Sequence, residues 1–133
     1  VISRRLLLSG LSVATGAAGF AWTRRAQAHA AHGGQVQKIG AYEGEFVARG
    51  GQILLYVSDE QDRPVDAAQF RATAVVLARG NEQRSVDMAP AGENRLAARL
   101  DFPVDGRVRA TVTLRGAGGN EVGRARFAVD QAR

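Results

Sequence analysis

The sequence predicts an all-β chain of short antiparallel strands, and three observations carry that reading. Most segments after residue 35 alternate apolar and polar residues with a period of two. Turn-forming residues (glycine, asparagine, proline) separate these segments at short, regular intervals. No segment after residue 35 carries a 3.6-residue apolar period.

Taken in order, "YEGEFVA" sets Tyr42 and Phe46 against Glu43 and Glu45, which project together from the opposite face. "QILLYVS" and "ATAVVLA" are continuously apolar, the pattern of central strands covered on both faces. "SVDMA" places Val86 and Met88 inward, against Ser85 and Asp87, so Met88 is expected in the core. "RLAARLDF" alternates Leu96, Leu100 and Phe102 with Arg95, Arg99 and Asp101. "GRVRATVTLRG" turns Val108, Ala110, Val112 and Leu114 inward, and "GRARFAVD" does the same with Ala125, Phe127 and Val129. The turns between them include Gly50-Gly51, Gly80-Asn81, Asp105-Gly106 and Gly119-Asn120, where glycine, asparagine and aspartate supply positive φ. "DAAQFRA" has room for one helical turn. Seven or eight strands over residues 35–131 predict an immunoglobulin-like antiparallel β-sandwich.

The first 28 residues read differently. Ser3-Arg4-Arg5 followed by Leu6-Leu7-Leu8 resembles a twin-arginine signal, with Leu7 where that pattern usually carries Phe. Residues 6–22 are uncharged but diluted by glycine, serine and threonine. They fall short of the ~20 strongly apolar residues of a spanning helix, so no stable membrane span is expected. Arg24-Arg25 and then Ala26-Gln27-Ala28 form a basic pair and a small-x-small cleavage site. The expectation is a cleavable twin-arginine signal peptide at 1–28, a flexible His/Gly leader at 29–34, and a periplasmic domain exported by the twin-arginine translocase.

That leader distorts the charge. The chain carries 18 basic and 13 acidic residues, a net of +5. Removing Arg4, Arg5, Arg24 and Arg25 leaves fourteen basic residues against thirteen acidic, a net of +1. The basic footprint of a nucleic-acid binder is thereby almost gone, and no nucleic-acid partner is expected. With no cysteine, the chain has no disulfide, thiolate site or cysteine nucleophile.

Enzymatic constellations find little support. A Ser-His-acid site needs a histidine held by the fold, and both histidines, His29 and His32, fall in the Gly-flanked leader. "GAGGNEVG" lacks the dinucleotide spacing because Glu121 takes the third glycine's place, so it reads as a hairpin loop. "DEQDRPVD" lacks the alternation and glycine of a calcium loop and reads as a solvated turn. A non-enzymatic protein is expected.

The two histidines point to metal. Cleavage after Ala28 exposes His29, whose amine and imidazole form a chelate to which His32 adds a second ring. Cleavage after Ala30 instead leaves Ala31-His32, where amine, amide nitrogen and imidazole form the chelate. Either product favours Cu(II) among first-row ions. The metal residues expected are His29 and His32, with Glu45 contributing from the nearby strand, and the cofactor is a copper ion.

The run from His32 to Asp66 resembles small exported bacterial β-sandwich proteins related to the N-terminal modules of heavy-metal efflux adaptor subunits. The matching positions are His32-Gly33-Gly34, Gly40, Tyr42, Glu45, Val47, Gly51, Tyr56, Asp59 and Pro64-Val65-Asp66. Pro90, Gly92 and Asn94-Arg95-Leu96 extend the resemblance. It implies a β-sandwich concerned with periplasmic heavy-metal or copper handling. His29 is also similar to the copper-ligating terminus of periplasmic copper-resistance β-sandwich proteins, although no histidine follows His32 and there is no Met-rich loop. The alternative expectation is a metal-free immunoglobulin-like module that docks on an envelope or efflux assembly.

Overall fold

The computed structural model describes residues 30–104 and 106–132. The fold is all-β, as the alternation predicts. Its strands are β1 (Gln35–Ile39), β2 (Tyr42–Arg49), β3 (Gln52–Ser58), β4 (Phe70–Leu77), β5 (Gln83–Pro90), β6 (Arg95–Arg99), β7 (Val108–Gly116), β8 (Glu121–Val129) and the two-residue β9 (Gln131–Ala132). Neighbours pair in the order β1-β2-β3-β6-β5-β4-β7-β8, giving an antiparallel sheet nearly closed into a barrel. β9 adds to β2 in parallel beyond the end of β1, with Ala48 opposite Gln131 and Arg49 opposite Ala132. A 3-10 turn at Ala67–Gln69 enters β4, started by the Asp66 carboxylate, which accepts from the Ala68 N–H at 3.0 Å.

The inward residues form one core, including Ile39, Phe46, Leu55, Met88, Leu96, Val112 and Phe127. Phe46 of β2 stacks on Phe127 of β8 with centroids 5.0 Å apart, and Tyr42 meets Phe70 edge-on at 5.1 Å. The stack ties β2 to β8 and the edge-on pair ties β2 to β4; each adds ~1 kcal/mol beyond its buried area. Gly50 and Gly51, at φ 60° and 77°, make the two-residue turn whose twist matches the strands it joins, so β2 and β3 pair from Arg49–Gln52 onward.

Two segments differ from the sequence expectation. β4 alternates buried Ala72, Ala74 and Val76 with more open Thr73, Val75 and Leu77, although its composition suggested cover on both faces. An apolar run does not by itself reveal that one side of the sheet has nothing packed over it. β6 ends at Arg99, short of Phe102, and the Leu100 N–H donates instead to the Gly51 carbonyl at 2.8 Å.

The barrel closes along a seam where β1 lies against β8 without a continuous backbone ladder. Side chains bridge it. Gln35 Oε1 accepts from the Ala128 N–H at 2.7 Å, and Gln37 Nε2 donates to the Arg126 carbonyl at 3.2 Å. At the other end two glycines let the backbones touch, because a Cβ on Gly123 would run into the Gly40 backbone. β8 carries an extra residue, Val122, where its register with β7 shifts, and the Val122 carbonyl faces Gly40.

Gly123→Ala should therefore lower unfolding stability by ~2–3 kcal/mol, the cost of forcing atoms into a packed contact. Gly51→Ala meets open space and should cost ~1–2 kcal/mol through its positive φ alone. Urea unfolding of the two variants measures the difference.

Candidate functional site

The outer face of β2 and β3 carries an unusual pair. Glu45 and Tyr56 are opposite one another across the two strands, with Val36 on the other side of Glu45 and Arg95 beyond Tyr56. Glu45 is only 5% exposed and is the one buried charged side chain among the described residues. A buried carboxylate is costly unless its oxygens are hydrogen-bonded. Here the incoming chain supplies the donors. Glu45 Oε2 accepts from the backbone N–H groups of His32 and Gly34, each at 2.8 Å, and Oε1 accepts from His32 Nδ1 at 2.9 Å.

The local sequence fits this task residue by residue. His32 offers both an amide and a ring nitrogen to the same carboxylate. Gly33 turns the chain at φ 80°, and its N–H donates back to the Ala30 carbonyl at 3.1 Å. Gly34 passes so close to β2 that a Cβ would collide with the Phe46 carbonyl. The His32 ring then lies flat on Tyr56, with centroids 3.6 Å apart and planes within 4°. Residues 32–34 contact the sheet through the donors that Glu45 accepts, and the His32 ring is held between Glu45 and Tyr56.

A carboxylate only accepts hydrogen bonds, so Nδ1 of His32 carries the proton. In the neutral form of the ring Nε2 is then the nitrogen without a proton, and the imidazole is 41% exposed. Both oxygens of Glu45 accept from the incoming chain, and this contact orients the His32 ring. Beside the ring opens a cavity of about 290 Å³ lined by His32, Glu45, Tyr56, Ser58, Asp62 and Asn94, among others. Among the described residues no group of three or more His, Asp or Glu converges as a metal site. His29, Arg4, Arg5, Ala26 and Ala28 lie outside the described residues.

The acidic loop after β3 satisfies itself. Asp59 Oδ1 accepts from the Gln61 and Arg63 N–H groups at 2.8 and 3.0 Å, and Oδ2 accepts from Arg63 Nε at 3.0 Å. The Arg63 N–H holds the Asp59 carboxyl below its ordinary range, helped by the Gln61 N–H and the guanidinium against a smaller opposing effect of desolvation. Glu43 behaves oppositely. Burial, then a hydrogen bond and charge repulsion from Asp62, raise its carboxyl above the ordinary value, against the pull of Lys38.

Sequence reasoning singled out His32 and Glu45 but not the part played by Tyr56. Its phase between inward Leu55 and Val57 places it outward, yet the register that sets it opposite Glu45 lies in the pairing of β2 with β3. Compared with known proteins, the chain matches no family, no curated protein and no solved structure. Among the described residues no helix is long and apolar enough to cross a membrane.

Two outcomes follow from this geometry. Glu45→Ala should release the leader, raising amide exchange at His32 and Gly34 by ~10-fold or more, since each loses a charge-assisted bond. Glu43 holds its proton more tightly folded than unfolded, so its contribution to stability falls as pH rises from the ordinary carboxylate value through the raised one. Glu43→Gln should therefore gain stability over the wild type at neutral pH, and the gain should shrink in acid, as read by urea midpoints across that range.

Proposed function

We propose that this chain is an exported, non-enzymatic, immunoglobulin-like β-sandwich that binds a transition metal, copper above other first-row ions, through its processed N-terminus. The sandwich reading is supported by the strand order. β1-β2-β3-β6 and β8-β7-β4-β5 form the two halves, and β5 passes from one to the other by pairing with both β4 and β6.

The single observation that supports the metal reading is the Glu45–His32 pair. It fixes the ring, places the proton on Nδ1 and leaves Nε2 as the ligand atom. Carboxylates that take the second nitrogen of a ligating histidine orient the ring and make it more basic. The same pair favours one cleavage site over the other. A chelate at an Ala31-His32 terminus needs the His32 amide nitrogen and Nδ1, and both are engaged by Glu45. A chain beginning at His29 needs neither. Its amine and His29 imidazole form the chelate, and His32 Nε2 completes it from a fixed position. Copper supplies affinity for these nitrogen donors; the protein supplies a pre-oriented imidazole.

Cu(II) titration of protein beginning at His29 tests this, read by visible absorption and electron paramagnetic resonance. One equivalent should bind with a nitrogen-rich signature. Glu45→Gln should weaken binding ~10-fold or more by loosening the ring. In protein beginning at Ala31, Glu45→Ala should instead strengthen binding by freeing the amide and Nδ1. Micromolar or weaker binding, unchanged by His29→Ala with His32→Ala, would overturn the metal reading.

A further inference from the structure

The outer face of β5-β4-β7-β8 has features that folding does not require. Val75 is 37% exposed and is the exposed large hydrophobic among the described residues. It sits between Ser85 on β5 and Thr111 on β7, and Thr111 is opposite Arg126 on β8. One step along, Leu77 pairs with Gln83, and Arg109 with Ala128. A groove of about 390 Å³ is lined by Val75, Leu77, Thr111, Ala128, Arg109 and Arg126, among others.

Like Arg49 and Arg99 elsewhere on the surface, these two arginines lack a side-chain partner among the described residues, unlike most of their neighbours. Arg63, Arg84, Arg107 and Arg124 each pair with an acid, and Arg115 donates to Thr73. Arg109 and Arg126 are exposed and make no side-chain ion pair or hydrogen bond among the described residues. They are diagonal neighbours on adjacent strands, ~7 Å apart at the backbone, where like charges repel. Strand alternation gives this face Arg71, Arg109, Arg115, Arg124 and Arg126 against Asp87 and Glu121. An apolar strip beside unpaired guanidinium groups complements a ligand that carries apolar side chains and carboxylates together.

The strand edge itself is closed. Ala128 N–H, Ala128 carbonyl and Arg126 carbonyl on β8 are already bonded by Gln35, Arg107 and Gln37. A partner must therefore lie on the face and bind through side chains. We propose that this face docks an extended acidic segment of a partner protein, with carboxylates on Arg109 and Arg126 and an apolar side chain on Val75 and Leu77. The inference is independent of whether the N-terminus holds a metal, since the groove and the His32–Glu45 pair lie on different faces.

The test is a titration of the processed, ¹⁵N-labelled protein with the peptide acetyl-Glu-Val-Glu-Leu-Glu-amide, followed by amide shifts. Saturable shifts centred on Val75, Thr111 and Arg126 are expected. They should weaken at least ~10-fold in Arg109→Glu with Arg126→Glu and fade in high salt, where exposed charges are screened. Arg109→Gln with Arg126→Gln serves if the charge-reversed protein does not fold. No shifts up to millimolar peptide, equal shifts from the lysine-for-glutamate peptide, or binding to phosphatidylglycerol vesicles in place of the peptide would each overturn the proposal.

Discussion

Glu45 is a carboxylate buried on the outside of a β-sheet, and the arrangement of the N-terminal segment follows from what that carboxylate requires. Its oxygens need three donors, and the chain entering β1 supplies all three from His32 and Gly34. Meeting that requirement fixes the path of the backbone over β2, which only glycine at position 34 permits. It also sets the His32 ring on Tyr56, the cross-strand neighbour of Glu45. Removing one of the three donors leaves the buried carboxylate with an unmet acceptor, a penalty of ~1–3 kcal/mol.

The same anchoring bears on the closure of the barrel. β1 follows Gly34 directly, and its Gln35 and Gln37 reach across to the exposed backbone of β8. Capping a strand edge with side chains removes a template for unwanted pairing. The Phe46–Phe127 stack lies behind that seam, and the Gly40–Gly123 contact closes its far end. The two faces of the molecule thus differ in kind. The β2-β3 side is covered by the leader, while the β4-β7-β8 side stays open and basic.

Much of the fold was legible in the residues. Alternation placed Val108, Val112, Leu114, Phe127 and Met88 in the core, and the glycine turns fell where positive φ is observed, as at Gly50, Gly80 and Gly119. These signals are local, and local pattern determines them. The candidate site was legible in its members, His32 and Glu45, but not in its geometry. Nothing short-range shows that residues 32 and 34 converge on a carboxylate eleven to thirteen positions later. A Glu in an alternating strand reads as solvated, and only the return of the leader makes it buried. The open face of β4 was hidden for the converse reason, since Val75 and Leu77 resemble core residues in composition.

The functional reading rests on one imidazole being oriented before any metal arrives. Fixing a ring in advance lowers the entropy cost of ligation, and the carboxylate behind Nδ1 leaves Nε2 as the donor. Histidine-selective ¹⁵N NMR of the metal-free protein beginning at His29 tests this most directly, since only two rings contribute. The account predicts that the His32 ring is locked in the Nδ1–H tautomer, with a slowly exchanging Nδ1 proton that disappears in Glu45→Ala. A His32 ring that averages between tautomers like a free imidazole, unchanged by loss of Glu45, would contradict it.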